Sequence, residues 1–267
     1  MTKPEPQPPE HSLRRLSGTR LLGGTTGAHR AGGGGAPASG PAEPLAPLLT
    51  HRARRPAAIT IACCAAVVGV LAVFAANRST AGALDRPVDS WLRHNIAAHH
   101  HALTDIAYLG GGQLGIVLTA ALVLACLLVR RINGAILALL SVLVTVGLTE
   151  FVLKPLVHET INGSLTYPSG HTASVFALTG VVGVLVLNPP RQRPRTWVRA
   201  LLVAGLVAIS CAVAVATIAL NYHYFTDTIA GAALAVGVVL AATFPLDIAS
   251  VRRGLAAATP AWLKPRP

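Results

Sequence analysis

Six apolar stretches, each close to the length that crosses a lipid bilayer, constrain this 267-residue chain more than any other feature. A membrane-spanning helix needs about 20 predominantly apolar residues. Such stretches must be helical, because the bilayer interior offers no hydrogen-bond partner to free backbone groups. The sequence therefore predicts an all-α polytopic membrane protein with six transmembrane helices. The stretches cover roughly residues 57–76, 110–129, 132–153, 172–188, 198–220 and 228–246.

Composition and charge indicate the same class of protein. The chain is 52% hydrophobic and only 12% charged, which is typical of an integral membrane protein. Its net charge of +12 lies in a polar N-terminal region and in short segments beside the apolar stretches. That placement is typical of membrane orientation and of contact with anionic headgroups. Basic and aromatic residues are not interleaved as in single-strand binders, so we expect membrane lipids, and no nucleic acid, as partners.

Three segments organise the chain. Residues 1–56 are rich in Pro, Gly, Ala and Arg, cannot bury a core, and are expected to be a disordered cytoplasmic tail. Residues 57–246 form the six-helix membrane domain, and residues 247–267 a short cytoplasmic tail. The four cysteines all lie in apolar stretches and indicate neither a disulfide framework nor a zinc site.

The distribution of Lys and Arg predicts the orientation in the plasma membrane. Segments that alternate along the chain differ in basic content, and the more basic set is expected in the cytoplasm. This places both termini inside and places Lys154, the turn at 168–171 and His223 outside. The inside set is Arg52, Arg54, Arg55, Arg130, Arg131, Arg191, Arg193, Arg195, Arg199, Arg252 and Arg253, and the outside set is Arg78, Arg86, Arg93 and Lys154.

The first outside loop, residues 77–109, has the spacing of a short amphipathic helix. Its pattern is carried by Asp85, Val88, Trp91 and Leu92. Such a helix lies along the membrane surface with its apolar face towards the lipid. We expect Trp91 to anchor it at the interface.

The turn Pro168-Ser169-Gly170-His171, just before the fourth apolar stretch, is the first candidate for chemistry. Ionisable residues at membrane boundaries are rare and tend to be functional. Ser169 is a plausible helix N-cap, and Gly170 lets backbone approach a ligand closely. The free N–H groups and the dipole of a helix start favour phosphate. His171 is then placed to protonate a leaving oxygen.

Two further polar sets fall on the same predicted side. His223 and Asp227 are four residues apart and would share a helix face. A carboxylate can fix the imidazole tautomer and leave the other nitrogen free as base, nucleophile or ligand. Lys154 ends the third stretch, where it either flanks the membrane or neutralises a phosphate. Together these groups suit phosphoryl transfer without a metal or other cofactor.

These three sets resemble the three-part signature of the phosphatidic acid phosphatase type 2 family. The resemblance rests on Lys154-Pro155, on the turn at 168–171, and on His223 with Asp227, and it covers roughly residues 57–246. It implies a six-helix bundle whose architecture is shared with vanadium haloperoxidases and glucose-6-phosphatase. It also implies hydrolysis of a lipid phosphate.

The resemblance implies a role for each matching residue. His223 would attack phosphorus to form a phosphohistidine, Asp227 would orient it, and His171 would protonate the leaving lipid oxygen. No metal takes part. The groups that would hold the phosphate oxygens are Lys154, Ser169 and the Gly170 backbone.

Both arginines of the family signature are replaced here. The first motif normally ends in Arg-Pro, where this chain has Ile161 and Asn162, and the third opens with Ser-Arg, where it has Ala216 and Thr217. Losing one preorganised donor to transition-state charge typically costs about 10²–10³ in rate. The sequence also places the negative charge of Glu159 near the expected phosphate.

Three functions are consistent with these features. The first is a membrane phosphatase that cleaves a polyprenyl- or phosphatidate-type lipid phosphate or diphosphate at the outer face. The second, motivated by the replaced arginines, is a catalytically weak or inactive relative that binds lipid phosphates or acts as a membrane scaffold. A lipid transporter is the third, but no internal repeat of the kind common in transporters is visible.

Overall fold

The structure, a computed structural model, describes residues 48–187 and 195–258. Its regular structure is helical apart from one two-residue β-hairpin, β1 (Thr160–Ile161) and β2 (Ser164–Leu165). The helices are α1 (His51–Ala75), α2 (Asp85–Ile96), α3 (His100–Tyr108), α4 (Gly112–Leu128), α5 (Ile132–Gly147), α6 (Lys154–Val157), α7 (Gly170–Leu187), α8 (Thr196–Ala219) and α9 (Phe225–Ala258).

Six helical segments in the described residues are long and apolar enough to cross a membrane. This confirms the predicted all-α, multi-pass architecture. The second segment joins α2, α3 and α4, and the third continues from α5 through α6. The six segments are Arg52–Ala75, Asp85–Leu128, Ile132–Val157, Gly170–Leu187, Thr196–Ala219 and Phe225–Ser250.

The first and last spanning helices extend beyond the predicted apolar stretches. α1 begins at His51 rather than at residue 57, and α9 runs on past residue 246. Asp247 explains the extension, because its buried carboxylate accepts the backbone N–H groups of Leu48 and Leu49 at 2.6 and 3.1 Å. Helix α9 can therefore include Asp247, because the buried carboxylate has hydrogen-bond donors. Most of the predicted N-terminal tail, residues 1–47, lies outside the described residues. Of the predicted C-terminal tail, residues 247–258 continue α9, and residues 259–267 lie outside the described residues.

Helix α7 lies at the centre and packs against α5, α8 and α9, while α1 packs against α9. The core between these helices is rich in small residues such as Ala138, Ala177 and Ala235, which let helices approach closely. Large apolar side chains cover the outside, among them Phe151 and Leu128. An apolar exterior around a close-packed interior suits a lipid environment.

The C-terminal end of α7 is held by two arginines. Arg131 donates to the carbonyl oxygen of Leu185 at 3.0 Å, and Arg199 donates to those of Val186 and Leu187 at 2.8 and 2.6 Å. These carbonyls have no partner within their own helix. Positive charge there also complements the helix dipole, so the end of α7 opposite the His171 turn is fixed.

The amphipathic helix predicted within residues 77–109 is present as α2. Trp91 is largely exposed, whereas Leu92 is buried in the protein rather than turned towards lipid. Asp85 and Asp89 are buried as well, each only 1% exposed. These two aspartates therefore have partners inside the protein rather than in solvent.

Candidate active site

Lys154 directly follows a stretch in which the helix changes from α-helical to π-helical geometry. Between α5 and α6, residues Leu148–Leu153 form a π-helical segment. Pro155, which has no N–H to donate, follows directly after Lys154. Such wider turns within helices are frequent at functional sites.

The segment after α6 forms the β-hairpin, which the sequence interpretation did not foresee. Asn162 and Gly163 occupy its two-residue turn with φ of 50° and 82°, the left-handed region that an Asn-Gly turn of this type requires. Thr160 pairs with Leu165. The Asn-Gly dipeptide was the sequence signal that could have predicted it.

The turn before α7 combines a helix cap with tight packing. The Ser169 hydroxyl accepts the backbone N–H of Thr172 at 3.3 Å and lies 3.1 Å from the Thr172 hydroxyl, which makes it the N-cap of α7. Gly231 of α9 lies so close that a Cβ there would come within 2.6 Å of the Ser169 carbonyl oxygen. The turn therefore rests directly on α9.

Three carboxylates receive the first backbone N–H groups of α9. Asp227 accepts the N–H of Tyr224 at 3.0 Å, Asp89 that of Phe225 at 3.1 Å, and Asp85 that of Thr226 at 2.9 Å. Negative charge at a helix N-terminus is favourable. Asp85 and Asp89 come from α2, so this loop-borne helix holds α9 and the preceding His223 in place.

A cavity of about 520 Å³ opens where these elements meet. Four of the predicted residues line it, and the other two, Ser169 and Asp227, are fully buried behind it. Ser169 therefore faces Thr172 rather than the cavity. The four lining residues are Lys154, Gly170, His171 and His223.

The two histidine rings lie next to each other, with centroids 5.8 Å apart. His223 Nδ1 is 3.0 Å from the carbonyl oxygen of Thr166 and 3.7 Å from Oδ2 of Asp227. Because a carbonyl oxygen only accepts hydrogen bonds, Nδ1 carries the proton and the lone pair of Nε2 is free. The backbone of Thr166 thus shares the orienting role that sequence reasoning gave to Asp227 alone.

His223 and Asp227 do not share a helix face, contrary to the sequence interpretation. α9 begins at Phe225, so His223 lies in the preceding turn while Asp227 belongs to the first helical turn. The side chain of Asp227 folds back to the N–H of Tyr224. Capping of α9 therefore determines the relative position of the two residues.

Lys154 is bound to a carboxylate that also lines the cavity. Its Nζ lies 2.8 Å from both Oε1 and Oε2 of Glu150, one turn earlier. Oε1 would lie 2.9 Å from a Cβ on Gly170, so this carboxylate sits against the first residue of α7. Glu150 occupies the place between the lysine and the helix start where an anion is expected.

The positions at which the family resemblance implies arginines differ in their surroundings. Ile161 and Asn162 line the cavity from the hairpin, whereas Ala216 and Thr217 are buried within α8. Asn162 and Asn221 also line the cavity. The sequence did not indicate two hydroxyl groups there, because their orientation depends on the fold. Thr149 and Thr166 line the cavity with buried hydroxyls that have no hydrogen-bond partner among the described residues.

Glu159 lies behind the hairpin rather than in the cavity. It is 1% exposed, and burial raises the pKa of its carboxyl well above the usual range, with Asp227 and Asp85 acting in the same direction. Burial also raises the pKa of the neighbouring Tyr167 hydroxyl, which donates to the carbonyl oxygen of Val68 at 2.5 Å. This side of the site is buried and rich in acidic groups.

The fold and the site define a class of protein: a multi-pass helical membrane protein with paired histidines, a lysine and a helix N-terminus around one cavity. Residues 149–246 match the family model described as the PAP2 superfamily, which indicates a PAP2 superfamily domain in that range. The matched range contains all six predicted site residues. Comparisons with curated proteins and with solved structures found no match. In the described residues, no group of three or more His, Cys, Asp or Glu side chains is placed to hold a metal ion.

Proposed function

We propose that this protein is a metal-independent phosphatase that hydrolyses a lipid phosphate or diphosphate of the polyprenyl or phosphatidate type. The observation that carries the proposal is the His171–His223 pair, 5.8 Å apart at one cavity, with the proton of His223 held on Nδ1. This leaves a nucleophilic nitrogen beside a second group that can transfer a proton. Membership of the PAP2 superfamily supports a phosphatase.

The reaction runs in two steps. Nε2 of His223 attacks phosphorus, the bond to the lipid oxygen breaks, and protonated His171 donates its proton to that oxygen. Water, deprotonated by the now neutral His171, then attacks the phosphohistidine and releases phosphate. Asp227 and the Thr166 carbonyl keep His223 oriented throughout.

Phosphate binding uses groups around the start of α7. The Gly170 backbone and Lys154 are the main donors, and the Thr149 and Thr166 hydroxyls supply hydrogen bonds where the family has arginines. Ser169 acts from behind as the N-cap. Lys154 becomes available when the incoming phosphate displaces the carboxylate of Glu150.

The location of the site favours a substrate in the membrane. The cavity is built from the ends of spanning helices, whose outer surfaces are apolar. The Lys and Arg bias of the connecting segments supports an outward-facing site and cytoplasmic termini in the plasma membrane. A lipid carrier would then present its phosphate to the cavity while its chains stay in the bilayer.

The second candidate is a lipid-phosphate binder or scaffold with little activity. It is favoured by the Glu150–Lys154 pair, since a neutralised lysine and the absence of both signature arginines leave little positive charge for a transition state. Such a protein would bind lipid phosphates and release them unchanged.

Phosphate release by the detergent-purified protein in EDTA separates the two candidates. The panel contains a phosphatidate, a polyprenyl monophosphate and a polyprenyl diphosphate. We expect release that disappears in His223→Ala and persists in His94→Ala, a control that removes an exposed histidine of α2. Equal release by wild type and His223→Ala would contradict the enzyme, and binding without release would favour the scaffold.

A further inference from the structure

Glu159 differs from the other buried acidic residues of the described chain. In Asp85, Asp89 and Asp247, each carboxyl oxygen accepts a hydrogen bond from a backbone N–H or from an arginine. Glu159 is equally buried, at 1% exposure, yet neither of its oxygens has a donor among the described residues. An ionised carboxylate without a hydrogen-bond donor would be strongly disfavoured in this position.

Asp227 also has a buried carboxylate oxygen without a hydrogen-bond donor among the described residues. One of its oxygens accepts the N–H of Tyr224 and lies 3.7 Å from His223 Nδ1, but Oδ1 is buried and has no donor in the part of the chain that the structure describes. The Glu159 side chain is within hydrogen-bonding reach of Asp227. Two ionised carboxylates can only accept, so neither could satisfy the other. One proton between them pairs Oδ1 of Asp227 with one oxygen of Glu159 and removes one of the two buried negative charges.

We propose that Glu159 is protonated at neutral pH and donates a hydrogen bond to Oδ1 of Asp227, so that the pair presents a single negative charge behind His223. The proposal rests on the proposed function for its catalytic meaning. Glu159 touches neither substrate nor the reacting nitrogen, so it is a positioning residue.

The surroundings of the pair favour the protonated form. Among the described residues, the ionisable neighbours of Glu159 are Asp227 from α9, Asp85 from α2, Arg78 from the segment between α1 and α2, Tyr167 before α7 and Tyr224 before α9. Burial is the largest influence and raises the pKa of Glu159, and both aspartates raise it further. Arg78 is the one positive neighbour within residues 48–187 and 195–258, and it only partly offsets the rise in pKa.

Glu159 supports His223 by two routes. Its carbonyl oxygen accepts the N–H of Thr166 at 3.0 Å, and the carbonyl oxygen of Thr166 accepts Nδ1–H of His223. Its side chain meets Asp227, which lies beside the same nitrogen. Loss of the Glu159 proton would place two negative charges there, push Asp227 away by repulsion, and disfavour an incoming phosphate.

Infrared spectroscopy of the purified full-length protein tests the shared proton without any turnover. At neutral pH the wild type should show the carbonyl band of a protonated carboxylic acid, and Glu159→Gln should lack it. Asp105→Asn, which removes an exposed carboxyl of α3, should leave the band unchanged. In Asp227→Asn the band should shift, because its acceptor has changed. A wild type without the band, or a band that survives in Glu159→Gln, would overturn the proposal.

Kinetics test the positioning role. Glu159→Gln keeps a hydrogen-bond donor for Asp227, so we expect kcat within about threefold of wild type and no loss of rate as the pH rises. Glu159→Leu removes the donor and should lower kcat by about tenfold to a hundredfold, with KM nearly unchanged.

Equal kinetics and equal pH profiles in the two variants would contradict positioning. If the wild type releases no phosphate at all, the proposed function fails by itself. The infrared result then still decides whether Glu159 and Asp227 share a proton.

Discussion

The first turns of α7 and α9 lie side by side, but their free backbone N–H groups differ in whether they have carboxylate partners. At α9, the N–H groups of Tyr224, Phe225 and Thr226 each face a carboxylate. At α7, the cap Ser169 receives one N–H, while Gly170 and His171 line the cavity. One helix start is closed by the protein, and the other is open to a ligand.

Under the proposed function, this difference would select one phosphate position among two similar helix dipoles. Both starts attract anions. Closing α9 with Asp85, Asp89 and Asp227 removes a competing anion site and also fixes the turn that carries His223. Only α7 then remains available, and Glu150 covers it from the side of Lys154. Four predictions test this contrast.

The largest effect is expected from Asp227→Asn, which alters the closed end where it touches the nucleophile. The amide has nearly the same shape and can still accept the N–H of Tyr224, so folding should be retained. Because the charge beside His223 Nδ1 is lost, we expect the rate of phosphate release to fall by about 10²–10⁴. Rate and thermal unfolding midpoint are measured together. Near-normal turnover would remove Asp227 from the mechanism.

Asp89→Ala opens the closed end without touching the cavity. It removes the acceptor for the N–H of Phe225 and the partner of Arg93. We expect the free energy of unfolding to fall by about 2 kcal/mol, the upper range for a lost helix cap. Asp105→Ala in α3 serves as the control and should change it little. Equal midpoints for the two variants in thermal unfolding would show that the α9 cap does not stabilise the fold.

Glu150→Gln uncovers the open end. Lys154 then has no carboxylate to hold it, so inorganic phosphate should bind about fivefold more tightly, which corresponds to an ion pair worth about 1 kcal/mol. Phosphorus NMR titration measures this without turnover. Unchanged or weaker binding would mean that Glu150 helps to hold Lys154 in its binding position rather than competing with phosphate.

The smallest effect is expected from Ser169→Ala. Its hydroxyl faces Thr172 and is fully buried. Stability should therefore fall by about 0.5–1 kcal/mol, while the rate stays within about threefold of wild type. A large loss of rate with unchanged stability would instead assign the hydroxyl to phosphate binding, as the family resemblance implied.

Features set by one segment of the chain could be predicted from the sequence, whereas contacts between distant segments could not. The six membrane-spanning helices were predictable because a long apolar stretch in lipid must satisfy its own backbone hydrogen bonds, and it does so as an α-helix. The grouping of Lys154, His171 and His223 around one cavity followed from helix ends on one side of the membrane. Each of these inferences uses information local to one segment.

The support around the site was not predictable in the same way. The bonds from Asp85 and Asp89 to the start of α9 join residues 141 and 136 positions apart, and that from Thr166 to His223 spans 57. The spacing of α2 indicated a surface helix, and nothing local identified the partners of its acidic residues. From the sequence, Glu159 was expected to place a negative charge near the phosphate. Its burial beside Asp227 depends on the hairpin, which the sequence analysis did not predict.

The central position of α7 has a consequence for how the protein is made. Half of the residues in α7 are buried inside the protein, the largest share among the six candidate membrane-spanning segments. Its mean hydropathy is also the lowest of the six. It carries Thr172, Ser174 and Thr179 among its buried residues. Such a segment gains little from lipid alone and depends on α5, α8 and α9 to stay in the bilayer. Substitutions that loosen those contacts should therefore appear as failed membrane insertion and degradation before they appear as slow turnover.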